Sequence, residues 1–426
     1  MRVLIRLIIS VLMFGGIAPC VAATPDPVDL RIALATAHVV SVLQDMTEAA
    51  RNSDVGKYMT FVSDRDPLLL AEQRAWATNL RKKPPTEFSF TLAEGVEVTP
   101  DEDHHDGATA DVTLAWTPAP DPEHSGNQPE PISVTFPARF APQTDHAAVL
   151  DSRWVFAGVA WEVELTAPDG SRVLCMEPDR EEGERLLAIL PAALASAAAC
   201  FEADTPVATV KLYPTLDLLN ASISPGLTSP IAGWNDPGES IKLGAPAVGR
   251  DAEMILVHEA AHVAQFTLGP KPHDAPWWVL EGSAERAAAM AGPGEDPTRV
   301  FMQTMTDGRV RGWAQRGRLA DWGDLAVYDE RMPAGVERAY IQGHHMIAYL
   351  DETYSAAARN VWLRLLLNGT PIDAASREAF GTDFDSIDQS WRATLADDDD
   401  DAGSADAGSA DTDAAGSPGS PDSPVP

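Results

Sequence analysis

The sequence predicts an α+β protein with two folded domains, flanked by a leader and a tail. A chain of 426 residues is long enough for two ordinary domains, and its 45% hydrophobic content supports a sizeable core. Apolar residues recur first at helical spacing and then in strict alternation, which predicts helices followed by a run of strands. From Ala252 to Leu395 the spacing is mostly helical again.

The first domain is expected over residues 24–166. Helical spacing predicts a helix over Leu30–Ala50 and a second near Pro67–Leu80. Alternating apolar residues then predict four strands, near residues 88–92, 108–114, 132–136 and 154–165. Helices followed by strands predict a small α+β module with a curved antiparallel sheet. The pattern resembles the cystatin-like or NTF2-like cone fold.

The second domain is expected over residues 168–396, after the turn at Pro168-Asp169-Gly170. Strands and helices alternate at first, and the rest of the domain is predicted to be helical. The predicted elements before that helical part are a strand (Arg172–Met176), a long helix (Arg180–Cys200), a strand (Ala208–Tyr213), a helix (Leu216–Ala221) and an edge strand (Ser240–Leu243).

Both ends of the chain are expected to lie outside these domains. Arg2 and Arg6, an apolar run and the small residues Val21-Ala22-Ala23 are typical of an export signal over residues 1–23. No other stretch is apolar enough to be expected to span a bilayer, so we expect a secreted, periplasmic or envelope-associated protein. An uncleaved N-terminal anchor is the alternative. The tail, residues 397–426, carries nine Asp and no Lys, Arg or Glu, which predicts disorder.

The charge and the cysteines narrow the function classes. A net charge of −33 argues against nucleic acid and anionic membranes as partners, because both repel an acidic protein. Cys20 leaves with the signal, so Cys175 and Cys200 remain and could form a disulfide in an oxidising compartment. Two buried thiols are the alternative.

The polar run Asp101–Asp106 contains metal-ligand residue types but is more typical of a solvated hairpin loop.

One helix carries the residues with the clearest chemistry. His258 and His262 are four residues apart, so they project from the same helical face and can bind one Zn²⁺ at ~2.0–2.1 Å. Glu259 follows the first histidine and is placed to act as a general base on a metal-activated water. The alternative is a core helix whose histidines bind backbone groups.

A carboxylate further along the chain completes the candidate set. Glu281 follows His262 with eighteen residues between them, in a helix that Pro276 begins. That distance allows the first helix to end and a second one to present a carboxylate. Two histidines and one glutamate leave a fourth position for water, which is the catalytic rather than the structural arrangement of zinc.

The residues His258-Glu259-Ala260-Ala261-His262, the eighteen-residue spacer and Trp278-x-Leu-Glu-Gly-x-Ala-Glu285 together resemble the gluzincin clan of metallopeptidases, especially the bacterial "peptidase MA-like" group. The resemblance implies a zincin-like fold for the second domain. It also implies one Zn²⁺ per chain held by residues His258, His262 and Glu281, Glu259 as general base, and a peptide or protein as substrate.

The resemblance implies further roles outside the metal ligands. Glu285 would orient the first zinc histidine, with a surface ion pair to Arg286 as the alternative. Tyr340, or His344 in its place, would stabilise the oxyanion, with simple packing as the alternative. The segment Ala232–Glu239 lacks the Gly-x-Met-Glu-Asn sequence of the clan's aminopeptidases, so endopeptidase action is favoured.

Two other functions stay open from the sequence. The chain could be a zinc-stabilised but catalytically silent binding protein of the envelope or the extracellular space. The first domain could also act as an intramolecular inhibitor or propeptide of the second. Intact Glu259 argues against the silent protein, because a silent fold has no need for that base.

Overall fold

A computed structural model describes residues 27–100, 107–120, 129–143, 153–227, 231–248, 252–291, 297–328 and 333–396. The predicted export signal, the acidic tail and the polar run Asp101–Asp106 lie outside these residues. The chain forms two compact units, Met1–Pro272 with Ala287–Gly292 and His273–Arg286 with Pro293–Pro426. The domain boundaries expected from the sequence stay predictions.

The first unit begins with three helices and an antiparallel sheet. The helices are α1 (Pro27–Arg51), α2 (Val55–Met59) and α3 (Pro67–Lys82). The sheet has the order β1-β3-β4-β5, with β2 paired to β3; its strands are β1 (Glu87–Leu92), β2 (Thr99–Pro100), β3 (Ala108–Thr117), β4 (Ile132–Pro142) and β5 (Trp154–Val159). Alternate residues along β3 are buried, as the sequence predicted.

A second, mixed sheet follows in the same unit, with the order β6-β7-β8-β10-β9. Strands β7 and β8, and β8 and β10, are parallel, while β6 and β9 run antiparallel at the two edges. The strands are β6 (Val163–Thr166), β7 (Arg172–Cys175), β8 (Thr209–Tyr213), β9 (Gly233–Trp234) and β10 (Ile241–Gly244). The two sheets with their helices confirm the predicted α+β class.

Four helices accompany the second sheet: α4 (Arg180–Cys200), α5 (Leu216–Ile223), α6 (Ala245–Val248) and α7 (Ala252–Phe266). Helix α4 connects the parallel strands β7 and β8 and packs against β7 and α7. Strand pairing places Lys211 and Lys242 side by side on one face of the sheet. Leu212 and Leu243 lie on the other face, because neighbouring residues of a strand alternate between faces.

Two strand predictions were wrong. Residues 154–165, expected as one strand, form β5 of the first sheet and β6 of the second. Residues 160–162 separate them, and alternation alone does not show where a chain leaves one sheet for another. Strand β10, expected as an edge strand, lies between β8 and β9, and β9 is the edge. Its two residues are too few to show a periodic pattern.

The predicted disulfide between Cys175 and Cys200 is not formed. Cys175 lies against the first turn of α4, since a Cβ on Gly183 would be 2.9 Å from its Sγ. Cys200 is the last residue of the same helix. A helix of 21 residues is roughly 30 Å long, whereas a disulfide needs Cα atoms within about 7 Å. The predicted helix Arg180–Cys200 is itself what holds the two cysteines apart.

One helical segment among the described residues, Glu177–Cys200, is by length and composition apolar enough to cross a membrane. The expectation that no membrane-spanning segment follows the signal therefore stays a prediction. The segment contains α4, whose side chains Leu186, Leu190 and Leu194 are fully buried in the first unit. A core helix and a membrane helix can share this composition, so composition alone does not distinguish them.

The second unit is helical. Its helices include the first part of α8 (Trp277–Met290), α9 (Pro297–Gln315), α10 (Pro333–Tyr354), α11 (Ala356–Leu367), α12 (Ile372–Phe380) and α13 (Phe384–Thr394). Their core is aromatic. The Trp278 ring packs on Trp322 with centroids 4.2 Å apart and on Phe384 at 5.6 Å, and Trp322 packs on Trp391 at 5.4 Å.

Candidate metal centre

Helix α7 presents its two histidines as the sequence predicted. The imidazole Nε2 atoms of His258 and His262 are 3.2 Å apart, and both side chains are buried. Two nitrogen ligands at ~2.0–2.1 Å from one tetrahedral ion would lie about 3.3 Å apart. The two rings are therefore already spaced for a shared ion.

Glu281 of α8 completes a group of three. One ligand atom from each of His258, His262 and Glu281 lies within 4.8 Å of the other two, and all three side chains are buried. The group could hold a metal ion. The donor set fits a borderline-soft divalent ion, because it combines two imidazole nitrogens with one carboxylate. Helix α8 begins directly after Pro276, whose fixed φ suits a first helical turn.

Gln265 holds one of the histidines in place. Its Oε1 lies 3.0 Å from His262 Nδ1, and both groups are buried. An amide oxygen can only accept, so Nδ1 carries the proton and Nε2 presents its lone pair towards His258. Metal-binding histidines are typically oriented in this way through their second nitrogen. Gln265 was not among the predicted residues, although its position three residues after His262 on one helical face was a usable signal.

Glu259 is buried beside strand β9. A Cβ on Gly233 would lie 2.6 Å from Glu259 Oε1, so a larger residue at this position would displace the carboxylate. Gly233 pairs with Leu243 and shares its face of the sheet. Gly233 was not among the predicted residues, because its contact with Glu259 joins two segments that are distant in the sequence.

A close crossing of two helices in the second unit positions the segment around Glu281. A Cβ on Gly282 would lie 2.4 Å from the carbonyl carbon of Gly343 in α10, and 2.8 Å from the backbone nitrogen of His344. A Cβ on Gly343 would in turn lie 2.7 Å from the Trp278 carbonyl oxygen. The two glycines let the backbones touch, which brings the backbone of His344 against the residue that follows the predicted ligand.

The remaining predicted residues are outside the three-residue group. Burial lowers the pKa of His344 to about 4, against an opposing effect of the Glu285 charge, so the imidazole is neutral at pH 7. Among the described residues, His344 Nε2 has no hydrogen-bond partner. Tyr340 is half-buried and meets the Trp277 ring edge-on, with centroids 5.7 Å apart. Glu285 is half-buried, and its described influence is on His344.

His345, the neighbour of His344, has a structural setting. The Trp391 indole N–H donates to its Nδ1 over 3.0 Å, and Asp307 Oδ1 lies 3.7 Å from its Nε2. Burial lowers the pKa of His345, with Asp307 acting in the opposite direction. The two ring nitrogens of His345 therefore face Trp391 and Asp307, and the residue has a structural role beside the aromatic core.

Comparisons with known proteins give no match: no protein-family model fits the chain, and no curated protein is significantly similar to it. The resemblance to gluzincins therefore depends on the motif residues and their grouping alone.

Proposed function

We propose that the chain is an exported zinc-dependent peptidase of the gluzincin type. The observation that carries the proposal is the buried group of His258, His262 and Glu281, with Glu259 on the same helix as the two histidines. The second domain would then have a zincin-like fold, and the first a cystatin-like or NTF2-like one. Export is proposed from the signal-like residues 1–23.

The roles of the residues follow from their chemistry. His258, His262 and Glu281 would hold the zinc, and Gln265 keeps His262 in the tautomer that binding needs. When bound, the zinc ion supplies a Lewis acid that lowers the pKa of a water molecule and polarises a carbonyl. Glu259 would accept the proton of that water and deliver it to the leaving amine.

Strand β9 is a suitable place for a peptide substrate. It is the last strand of the second sheet among the described residues, and Gly233 brings its backbone against Glu259. An extended peptide could add to this edge through main-chain hydrogen bonds, with its scissile bond near the base. This arrangement supports endopeptidase action, because main-chain pairing requires no free terminus.

His344 and Tyr340 are the candidates for stabilising the oxyanion. A neutral imidazole can donate a hydrogen bond from one nitrogen, and the burial of His344 keeps it neutral. His344 belongs to the helix that crosses α8 next to Glu281, whereas the Tyr340 ring packs on Trp277. The contacts in the second unit favour His344 over Tyr340.

Metal content and peptide cleavage test the proposal together. Purified mature protein is expected to carry one zinc per chain by elemental analysis, and His262→Ala to lose it. Glu259→Gln should keep the zinc while cleavage of a peptide library falls by about 10²–10⁴-fold. Glu253→Gln is the matched control, because Glu253 is an exposed glutamate of the same helix.

Each other outcome has a defined meaning. Full activity in Glu259→Gln would show the mechanism to be wrong. No zinc in the folded wild-type protein, with zinc supplied, would remove the metal centre. Zinc in the wild type with no cleavage of any peptide would favour the catalytically silent binding protein.

A further inference from the structure

The first unit contains a cavity that the proposed active site does not use. Its volume is about 120 Å³, and it is lined by residues of α3, of all four main strands of the first sheet, and of β7, β8 and α5. Protein interiors are close-packed and rarely contain voids larger than a water molecule. An apolar cavity of about 150 Å³ is known to take up a benzene molecule. The space is therefore of the size of one aromatic ring.

The wall of the cavity is largely aromatic. Among its lining residues are seven aromatic side chains: Tyr58, Trp76, Phe90, Phe136, Phe156, Trp161 and Tyr213. Such rings offer faces and edges to an aromatic guest, in stacked or edge-on contacts. The rings of Tyr58 and Trp76 are themselves stacked, with centroids 5.3 Å apart.

The buried polar groups of the lining are already paired and carry no net charge. Glu72 and Lys211 form an ion pair in which Lys211 Nζ lies 2.5 Å from Glu72 Oε2, and both side chains are more than nine-tenths buried. The Tyr58 hydroxyl donates to Gln73 Oε1 over 2.7 Å. Burial raises the pKa of both Tyr58 and Tyr213, so the phenols are neutral. A charged group on a ligand that entered this buried part would have to give up its water without gaining a counter-charge there.

The cavity has a side that reaches the surface. Asp66, one of its lining residues, is exposed, and Gln73 and Trp161 are half-buried. The Gln73 Oε1 accepts from Tyr58, which leaves its amide N–H groups to face a ligand. One polar substituent on the ligand could be recognised there.

We propose that this cavity is a binding site for a neutral, single-ring aromatic molecule that carries one hydrogen-bond-accepting substituent. The site is separate from the candidate metal centre and does not depend on the proposed peptidase function. Its walls come from both sheets of the first unit, so a bound ring would contact side chains of both.

The test is calorimetric titration of the full mature protein with three probes: phenol, benzoate and benzylammonium. Phenol is expected to bind saturably at one site per chain, and the two charged probes at least tenfold more weakly. No saturable binding of phenol would overturn the proposal. Tighter binding of either charged probe would overturn the proposed ligand class.

Location of the probe is tested with Ala157→Leu, which places a larger side chain at a half-buried lining position. Phenol affinity should fall at least tenfold. Ala115→Leu is the control, because Ala115 neighbours the lining residue Leu114 on β3 and faces the other side of the sheet. A folded Ala157→Leu protein that binds phenol as the wild type does would place the probe elsewhere and overturn the proposal. If Ala157→Leu does not fold, Ala221→Leu on α5 replaces it. If neither variant folds, the relative affinities of phenol, benzoate and benzylammonium decide whether the proposal stands.

Discussion

The orientation and the tautomer of the His262 ring depend on two neighbouring side chains, His258 and Gln265. Its Nε2 points towards the Nε2 of His258, while its Nδ1 bonds to Gln265. The helical spacing of the histidines could be read from the sequence, because it is a local property of α7. The tautomer could not, because it depends on which side chain occupies the other nitrogen.

We predict that Gln265→Ala weakens zinc binding by about 10–100-fold, as is usual when the partner of a ligating histidine is lost. Without the acceptor, the ring can rotate or change tautomer. Competition with a chromophoric chelator measures the change. Gln265→Glu retains an acceptor oxygen and should restore most of the affinity. Equal affinity in Gln265→Ala and the wild type would show that this hydrogen bond does not orient the ring.

His344 predicts a pH dependence of stability. Its pKa in the folded protein is about 4, below the ordinary value of 6.5, because burial disfavours the imidazolium. Between these values the unfolded chain binds the extra proton, so the free energy of unfolding falls as pH falls. The loss between pH 7 and pH 4 should be roughly 3 kcal/mol from this group.

Denaturant unfolding of wild type and His344→Gln at pH 7, 5.5 and 4 checks this prediction. The wild type should lose more stability than the variant over this range, because the glutamine side chain does not titrate. Parallel pH profiles for the two proteins would mean that His344 is not held neutral by burial. The comparison removes the contribution of His345, whose pKa is also lowered by burial.

Helices α8 and α10 cross at a close backbone contact. Their crossing needs glycine at positions 282 and 343, since a Cβ at either would overlap the opposite backbone. The local pattern of α8 does not show why glycine is needed. By helix propensity alone, glycine would be unfavourable at this position. The contact partner is distant in the chain, so only the fold shows why glycine is required.

We predict that Gly282→Ala destabilises the protein by about 1–3 kcal/mol, the usual range for an overpacked contact, and weakens zinc binding because Glu281 is displaced. Thermal unfolding and zinc titration measure the two effects. Gly308→Ala in α9 is the control, because a Cβ there meets nothing within 4 Å. That control should be neutral or stabilising by up to about 1 kcal/mol. Equal behaviour of the two variants would contradict the close crossing.

Within the first unit, a buried ion pair links α3 to the second sheet. The Lys211 Nζ lies 2.5 Å from Glu72 Oε2, and Glu72 Oε1 accepts hydrogen bonds from the backbone N–H and the hydroxyl of Ser240. Burial would raise the pKa of Glu72, but Lys211, Lys242 and these hydrogen bonds outweigh it and hold the pKa below its ordinary value. The carboxylate is therefore charged at neutral pH. Glu72 comes from the domain predicted first and Lys211 from the one predicted second.

We predict that Glu72→Gln costs about 3–5 kcal/mol, because it leaves the Lys211 ammonium buried without its counter-charge. The double variant Glu72→Gln with Lys211→Met should recover much of that loss. Denaturant unfolding gives both values. Glu48→Gln, which removes an exposed ion pair with Lys57, is the control and should cost at most about 1 kcal/mol. A small effect of Glu72→Gln would contradict a buried and charged pair.

The features that could be predicted from the sequence are those that depend on residues close together in the chain. These are the α+β class, the helix that carries His258 and His262 on one face, and the alternation of β3. Local spacing is enough there, because one helical turn or one pleat sets the geometry.

The tertiary structure decided everything that depends on distant contacts. It assigned residues 154–159 and 163–166 to different sheets, separated Cys175 from Cys200 by the length of α4, and brought Gly233 against Glu259. Glu281 lies between these cases. Its spacing from His262 allowed a shared metal site, but only the folded chain brings its carboxylate within 4.8 Å of the histidines. Local geometry repeats along a chain, whereas a distant contact depends on how all the intervening elements pack.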